Sequence, residues 1–129
     1  MVATPIGNLQ DITLRALSIL AGVDWIAAED TRETRKLLNR HGIRARMVSL
    51  FGDVERGKAP QLVRALERGE SGAVVSTAGT PGASDPGSVI VAAAAARGIR
   101  VSPVPGPSAI AAAFSASGLE STRFVFEGF

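Results

Sequence analysis

The stretch GAVVSTAGTPGASDPGSVIVAAAAAR, residues 72–97, decides the fold. It begins with a short valine-rich run, passes through a loop dense in glycine and proline, and ends in an alanine-rich run. Short β-branched runs favour strands, and alanine has the highest intrinsic helix propensity. The stretch therefore predicts a strand, a tightly turning loop and a helix, in that order.

The same alternation of strand and helix patterns recurs along the rest of the chain. The candidate strands are Val2–Ala3, Val23–Ala28, Arg46–Leu50, Gly72–Ser76, Arg100–Pro103 and Arg123–Phe126. The predicted helices are Asp11–Leu20, Thr31–His41, Pro60–Arg68, Ser88–Arg97 and Ser108–Ser117. Alternating elements of this kind pair their strands in parallel through right-handed crossovers. We therefore predict an α/β fold with a mostly parallel five-stranded sheet flanked by helices.

Several helix starts carry capping signals. Asp30, followed three residues later by Glu33, predicts a capping box at the second helix. Asp85 and Pro86 are typical of an N-cap and first turn, and predict the start of the fourth helix. The last helix is predicted to begin at Pro107 or Ser108.

The composition narrows the class of protein. A chain of 129 residues, 46% of them hydrophobic, is long enough for one domain, 1–129. Cysteine is absent and His41 is the only histidine, which excludes disulfides, thiolate chemistry and multi-histidine metal sites. No apolar run reaches the roughly 18–20 residues of a membrane span. We expect a soluble, cytoplasmic protein without a metal.

Four loops are predicted to lie at one edge of the sheet, after Ala3, Ala28, Ser76 and Pro103. In parallel α/β sheets, ligands bind beyond the carboxyl ends of the strands. These loops should therefore meet and form any binding site that the domain has.

The third of these loops, residues 76–87, contains three glycines and two prolines. Such a loop lets a ligand approach the backbone closely. It lacks the Gly-Lys-Ser/Thr ending of a phosphate-binding loop and the Gly-x-Gly-x-x-Gly pattern of dinucleotide sites. A neutral or zwitterionic small molecule is the ligand that it favours.

The second loop brings Glu29, Asp30 and Arg32 together at a strand end. A charge that directly follows an apolar strand must be paired or solvated, and Arg32 is a candidate partner for Glu29. The second loop can therefore be interpreted either as a structural ion pair or as a functional site.

For the first loop, residues 4–8, an ordinary turn is the alternative to a ligand contact. For the fourth, around Ser108, it is a rigid turn with an N-cap.

Six basic residues fall between Arg32 and Arg46, with only Glu33 opposing them. Such an excess indicates either a phosphate-rich partner or a solvated helix face. The formal net charge of the whole chain is only +2, so the asymmetry is local.

Five segments, taken in order, resemble one family closely. They are Ala3–Leu9, Ala27–Arg32, Ala78–Gly82 with Ser84–Gly87, Pro105–Ala109 and Phe126–Phe129. Together they resemble the N-terminal domain of the ribosomal RNA small-subunit methyltransferase I family, within the tetrapyrrole methylases. The resemblance covers essentially the whole chain.

The resemblance implies S-adenosylmethionine as methyl donor and a cytidine ribose in small-subunit rRNA as acceptor. It also implies a homodimer and a second domain after Phe129, which is absent from this chain, so the fragment alone is expected to be inactive. The residues that it places against the cofactor are Pro5, Ile6, Gly79, Thr80, Ala83, Ser108 and Ala109.

In this setting, we predict catalytic roles for Glu29 and Arg32. Glu29 is the candidate carboxylate near the 2′-hydroxyl, and Arg32 would orient it or hold a phosphate. Arg32, Arg35, Lys36 and Arg40 recur at spacings that share one helical face. Of these, Arg35, Lys36 and Arg40 are predicted to contact rRNA phosphates.

The chain departs from the family pattern at two places. Thr77 stands where the family usually has an aspartate, and Leu50–Glu55 replaces a segment that usually carries a tyrosine and a histidine. Two alternatives stay open. The acceptor is a porphyrin or corrin, or the chain by itself is an inactive half-site or dimerisation module.

Overall fold

A parallel sheet forms the centre of the molecule, with β1 (Trp25–Ala28) as its middle strand. On one side β2 (Met47–Ser49) pairs with Ile26 opposite Met47, and on the other β3 (Gly72–Val75) pairs with Trp25 opposite Gly72. This arrangement comes from a computed structural model, which describes residues 1–128 apart from the side chain of Asp53. Phe129, the last residue of the 126–129 motif, lies outside the described residues.

Residues 1–128 also form five α-helices and one 3-10 turn. The 3-10 turn spans Leu9–Asp11, and the helices are α1 (Leu14–Gly22), α2 (Thr31–Arg40), α3 (Gly52–Glu67), α4 (Ser88–Ala95) and α5 (Ala109–Ala116). No helix in the described part of the chain is long and apolar enough to cross a membrane.

The α/β class with a parallel sheet is confirmed, but the predicted five strands are wrong, because the sheet has three strands within the described residues. Val2 and Val104 form a single parallel bridge with each other, and the Val2 amide donates to the Val74 carbonyl of β3 at 2.9 Å. Thr4 then turns away to pair in antiparallel fashion with Gly79, and Pro103 has no N–H to donate. Neither segment can therefore extend a regular ladder, and Arg123–Phe126, which lies wholly within the described residues, forms no strand.

Both faces of the sheet are covered, because alternate residues of β1 point to opposite sides. Ile26 and Ala28 pack with apolar residues of α1 and α2, such as Leu20 and Leu37. Trp25 and Ala27 pack on the other face with Leu62 of α3 and Ile90 of α4. All four β1 residues are buried, so solvent and polar ligands can reach this strand only at its ends.

The structure shows which of the predicted capping residues lie at a helix start. Asp30 is the N-cap of α2, where its side chain accepts hydrogen bonds from the amides of Arg32 and Glu33, and Ser108 is the N-cap of α5. Helix α3 begins at Gly52 rather than at Pro60, which lies inside it.

The prediction that Asp85 caps α4 is wrong. The N-cap is Gly87, which brings no side-chain cap of its own, and the helix begins at Ser88. Asp85 lies two residues too early to serve α4, and its side chain belongs to the site described next.

Candidate active site at the strand ends

The four predicted loops meet at the carboxyl ends of the strands. Thr4 and Gly79 exchange backbone hydrogen bonds of 2.9 and 3.0 Å, which join the first loop to residues 76–87, the cleft loop. The Thr80 hydroxyl donates to the Pro107 carbonyl at 3.2 Å, which joins the cleft loop to the fourth. These contacts fix the loops against one another.

A cleft of about 350 Å³ opens between these loops. Six of the seven residues predicted to contact a cofactor line it, namely Ile6, Gly79, Thr80, Ala83, Ser108 and Ala109. The seventh, Pro5, is buried and lines an adjoining cleft of about 370 Å³. The two clefts share Ile6 and Thr77, so they form one continuous edge.

The backbone conformation of the cleft loop favours glycine at position 79. The Gly79 φ of +80° lies in the left-handed region that side chains disfavour, and a Cβ there would stand 3.4 Å from Cγ2 of Ile6. The cleft wall at this point is therefore bare backbone.

Glu29 projects into the cleft from the end of β1, and its partner is Thr77. Oε2 of Glu29 accepts from both the backbone N–H and the hydroxyl of Thr77, each at 2.8 Å. The predicted pairing of Glu29 with Arg32 is wrong. Thr77, the departure from the family pattern, supplies the hydroxyl that holds this carboxylate.

Arg32 pairs with Asp30 instead, with Nη2 of Arg32 3.1 Å from Oδ2 of Asp30. The Arg32 side chain, through its hydrogen bond, and then the helix amides lower the pKa of Asp30, and the same carboxylate raises the pKa of Arg32. The Arg32 side chain is 87% exposed, so its guanidinium stays accessible to a further anion.

Asp85 is a cleft residue that the sequence did not reveal, because the proline after it resembled a helix start. It lines the cleft together with Glu29 and Ser108. Burial, and then the nearby Glu29 carboxylate, raise the pKa of Asp85. An acidic residue inside a loop of small residues was the available signal.

The basic residues of α2 lie on the surface beside this edge. Arg35, Lys36 and Arg40 are all exposed, and Lys36 also lines the adjoining cleft. Nζ of Lys36 lies 2.6 Å from Oε1 of Glu33, whereas Arg35 and Arg40 form no ion pair with any of the described side chains, which do not include that of Asp53. The charges of these two guanidinium groups are therefore not compensated by any carboxylate in the described part of the chain.

A larger cleft, of about 570 Å³, lies at the opposite end of the sheet. It is lined by residues at the start of β3 and by Arg100–Ser102, and none of the predicted site residues reaches it. Ligands of parallel sheets bind at the carboxyl ends of the strands, so its size does not make it the better candidate.

The fold and the strand-end cleft agree with one class of protein. The chain belongs to the Tetrapyrrole (Corrin/Porphyrin) Methylases, whose family model matches residues 1–127.

Within that class, the chain is similar to proteins called Ribosomal RNA small subunit methyltransferase I. The relative from Xylella fastidiosa is 56% identical over 129 residues, that from Mesorhizobium japonicum 55% over 130, and that from Escherichia coli O157:H7 53% over 129. Each alignment covers 100% of this chain but only 47%, 44% and 45% of the respective relative. The chain thus spans less than half the length of these relatives.

Proposed function

We propose that this chain is the N-terminal, cofactor-side part of an S-adenosylmethionine-dependent methyltransferase that acts on a cytidine ribose 2′-hydroxyl of small-subunit rRNA. The observation that supports this proposal is the cleft at the strand ends, where six residues expected to contact the cofactor lie together. The names of the relatives supply the substrate class.

The chemistry of the cleft fits such a cofactor. S-adenosylmethionine carries a cationic sulfonium, an amino group, a carboxylate and a flat adenine. Asp85 provides negative charge for the cationic groups, and Ile6 and Ala83 provide apolar surface. The Ser108 hydroxyl accepts from the Ala111 amide, which leaves its own proton free to donate to a carboxylate.

When bound, the cofactor supplies the methyl group in an in-line displacement, for which alignment of donor and acceptor is the main requirement. We propose that Glu29 takes the proton of the 2′-hydroxyl. Its Oε2 is held by Thr77, and its Oε1 makes no hydrogen bond to the described residues. One oxygen therefore positions the carboxylate while the other stays available as a base.

We assign Arg32 to a phosphate rather than to the orientation of Glu29, because its contact is with Asp30 and its guanidinium is exposed. Arg35, Lys36 and Arg40 continue this basic surface along α2. Guanidinium groups bind phosphate oxygens in bidentate fashion, which suits an RNA backbone.

The proposal extends to the assembly and its surroundings. We propose that the protein forms a homodimer and acts in the cytoplasm. We also propose that a second domain, which the extra length of the relatives can accommodate, completes the enzyme. The apolar surface formed by α5 and residues 119–125 is the candidate dimer contact. There the ring centroids of Phe114 and Phe124 lie 4.8 Å apart, and Leu119 and Val125 are exposed.

Two measurements on the intact protein test this function. Calorimetry with S-adenosylhomocysteine should detect binding, and Gly79→Val should abolish it, because the added side chain is strained at φ +80° and crowds Ile6. Methyl transfer should then be measured on small ribosomal subunits and on a porphyrinogen. Transfer to the porphyrinogen alone would replace rRNA with a tetrapyrrole as the acceptor.

A further inference from the structure

Glu55 is a buried carboxylate directly behind the cleft loop. It is only 4% exposed, lies on α3, and belongs to the segment Leu50–Glu55 that departs from the family pattern. Its Oε1 accepts hydrogen bonds from the backbone amides of Gly87 and Ile90, both at 3.0 Å. A side chain of α3 therefore caps the first turn of α4.

The cap has to come from another element because the N-cap residue cannot provide it. Gly87 has a φ of +131°, a conformation that residues with side chains rarely adopt. A Cβ at Gly87 would stand 2.7 Å from Cε of Met1 and 3.4 Å from Cγ1 of Val74. The first amides of α4 would be unsatisfied without Glu55, and buried amides of that kind are costly.

Gly87 is also the last residue of the cleft loop, so the same carboxylate fixes one end of that loop. Glu29 fixes the other end through Thr77. Between the two lies Ser84, a non-glycine residue at φ +68°, which the loop holds only if its ends are constrained.

We propose that Glu55 is a positioning residue that holds the cleft loop in its binding shape and so sets the affinity of the cleft for its occupant. A carboxylate suits this place because it accepts two amides and stands at the positive end of the α4 dipole. The affinity part of this inference rests on the proposed function, whereas the ordering of the loop does not.

The test compares Glu55→Ala and Glu55→Gln in the intact protein. Glu55→Ala should speed hydrogen exchange at the amides of Gly87 and Ile90 by about tenfold or more and weaken S-adenosylhomocysteine binding by about tenfold. Glu55→Gln keeps an accepting oxygen and should rescue binding to within about threefold of the wild type. Glu55→Asp keeps the charge but is one methylene too short, so it should behave like Glu55→Ala and can replace it if that variant does not fold.

Glu67→Ala is the matched control. Glu67 is on the same helix and pairs with Arg97 just beyond α4, with 2.6 Å between Oε1 and Nη1, but lies outside the cleft. It should leave both the exchange of Gly87 and the affinity unchanged.

Unchanged exchange at Gly87 and Ile90 in Glu55→Ala would overturn the proposal, as would faster exchange with unaltered affinity. A wild-type protein that does not bind S-adenosylhomocysteine would instead overturn the proposed function and the affinity part, and the exchange result would still decide whether Glu55 holds the loop.

Discussion

At the scale of single residues, the cleft depends on how its carboxylates are partnered. Glu29 is held by a neutral threonine, Asp30 by an arginine and two helix amides, and Asp85 has the Glu29 charge nearby. Three carboxylates at one edge of the sheet therefore have three different electrostatic environments. These environments lead to separate predictions for catalysis and for stability.

Glu29→Gln should separate proton transfer from binding. The amide oxygen can still accept from Thr77, but the side chain no longer takes a proton at neutral pH. We expect kcat for methyl transfer to fall by about 100-fold or more, since general-base catalysis contributes about 10²–10⁴. Affinity for S-adenosylhomocysteine, measured by calorimetry, should stay within about threefold. Normal turnover in this variant would exclude Glu29 as the base.

Asp85 and Asp30 should shift stability with pH in opposite directions. The folded-state pKa of Asp85 is raised above its ordinary 3.8, so its charged form disfavours the fold as pH rises through the folded value. Asp85→Asn should therefore have a higher Tm than the wild type at neutral pH, and the difference should vanish below pH 3.8.

The pKa of Asp30 is lowered below 3.8, so its charged form stabilises the fold at neutral pH, and this contribution is lost as pH falls through the folded pKa. Asp30→Asn retains an N-cap and should lower the Tm at neutral pH but not in strong acid. Thermal melts across about pH 2–8 compare the pair, and parallel curves for the two variants would contradict both assignments.

At the scale of elements, α2 joins the cleft to an exposed basic surface. Its N-cap Asp30 lies at the strand end, and its buried residues Thr34, Leu37 and Leu38 fix which face is turned outward. Arg35 and Arg40 lie on the outward face and lack ion pairs within the described residues. A helix anchored in this way presents its charges at a defined place beside the cleft.

Arg35→Ala and Arg40→Ala should each reduce the salt dependence of rRNA binding. Removing one guanidinium that neutralises a phosphate should lower the slope of log K against log salt by about 0.7–0.9. The measurement is a salt titration of binding to a small-subunit rRNA fragment. Arg64→Ala, which removes an exposed arginine of α3, is the control and should leave the slope unchanged. Identical slopes for all three variants would mean that α2 is simply a solvated face.

At the scale of the whole molecule, one edge of the sheet carries the site and one helix lies apart from the core. Helix α5 has no buried residue, and apolar side chains from residues 109–126 surround a shallow groove on it. Val125 is 85% exposed, which is a large apolar surface to leave in water. The homodimer proposal assigns this surface to a second copy of the chain.

Val125→Asp should then weaken self-association. Burying an unpaired carboxylate in an apolar interface is unfavourable, so the dimer dissociation constant should rise by about tenfold or more. Sedimentation equilibrium of the intact protein measures it. Leu14→Asp, an equally exposed position on α1, should have no effect. A wild-type protein that sediments as a monomer would contradict the dimer.

The sequence by itself determined the parallel α/β class, the strand–loop–helix order, the meeting of four loops at one edge, and the caps Asp30 and Ser108. These features follow from periodicity and from capping signals that act over a few residues. Only the tertiary structure decided the partners of the carboxylates. Glu29 reaches Thr77 across 48 positions and Glu55 reaches Gly87 across 32. Such pairings depend on the register of strands and the packing of helices, which no local pattern specifies. The number of strands also depends on the tertiary structure. Thr4 pairs with Gly79 and Val104 makes a single bridge, so neither segment continues a ladder of the sheet.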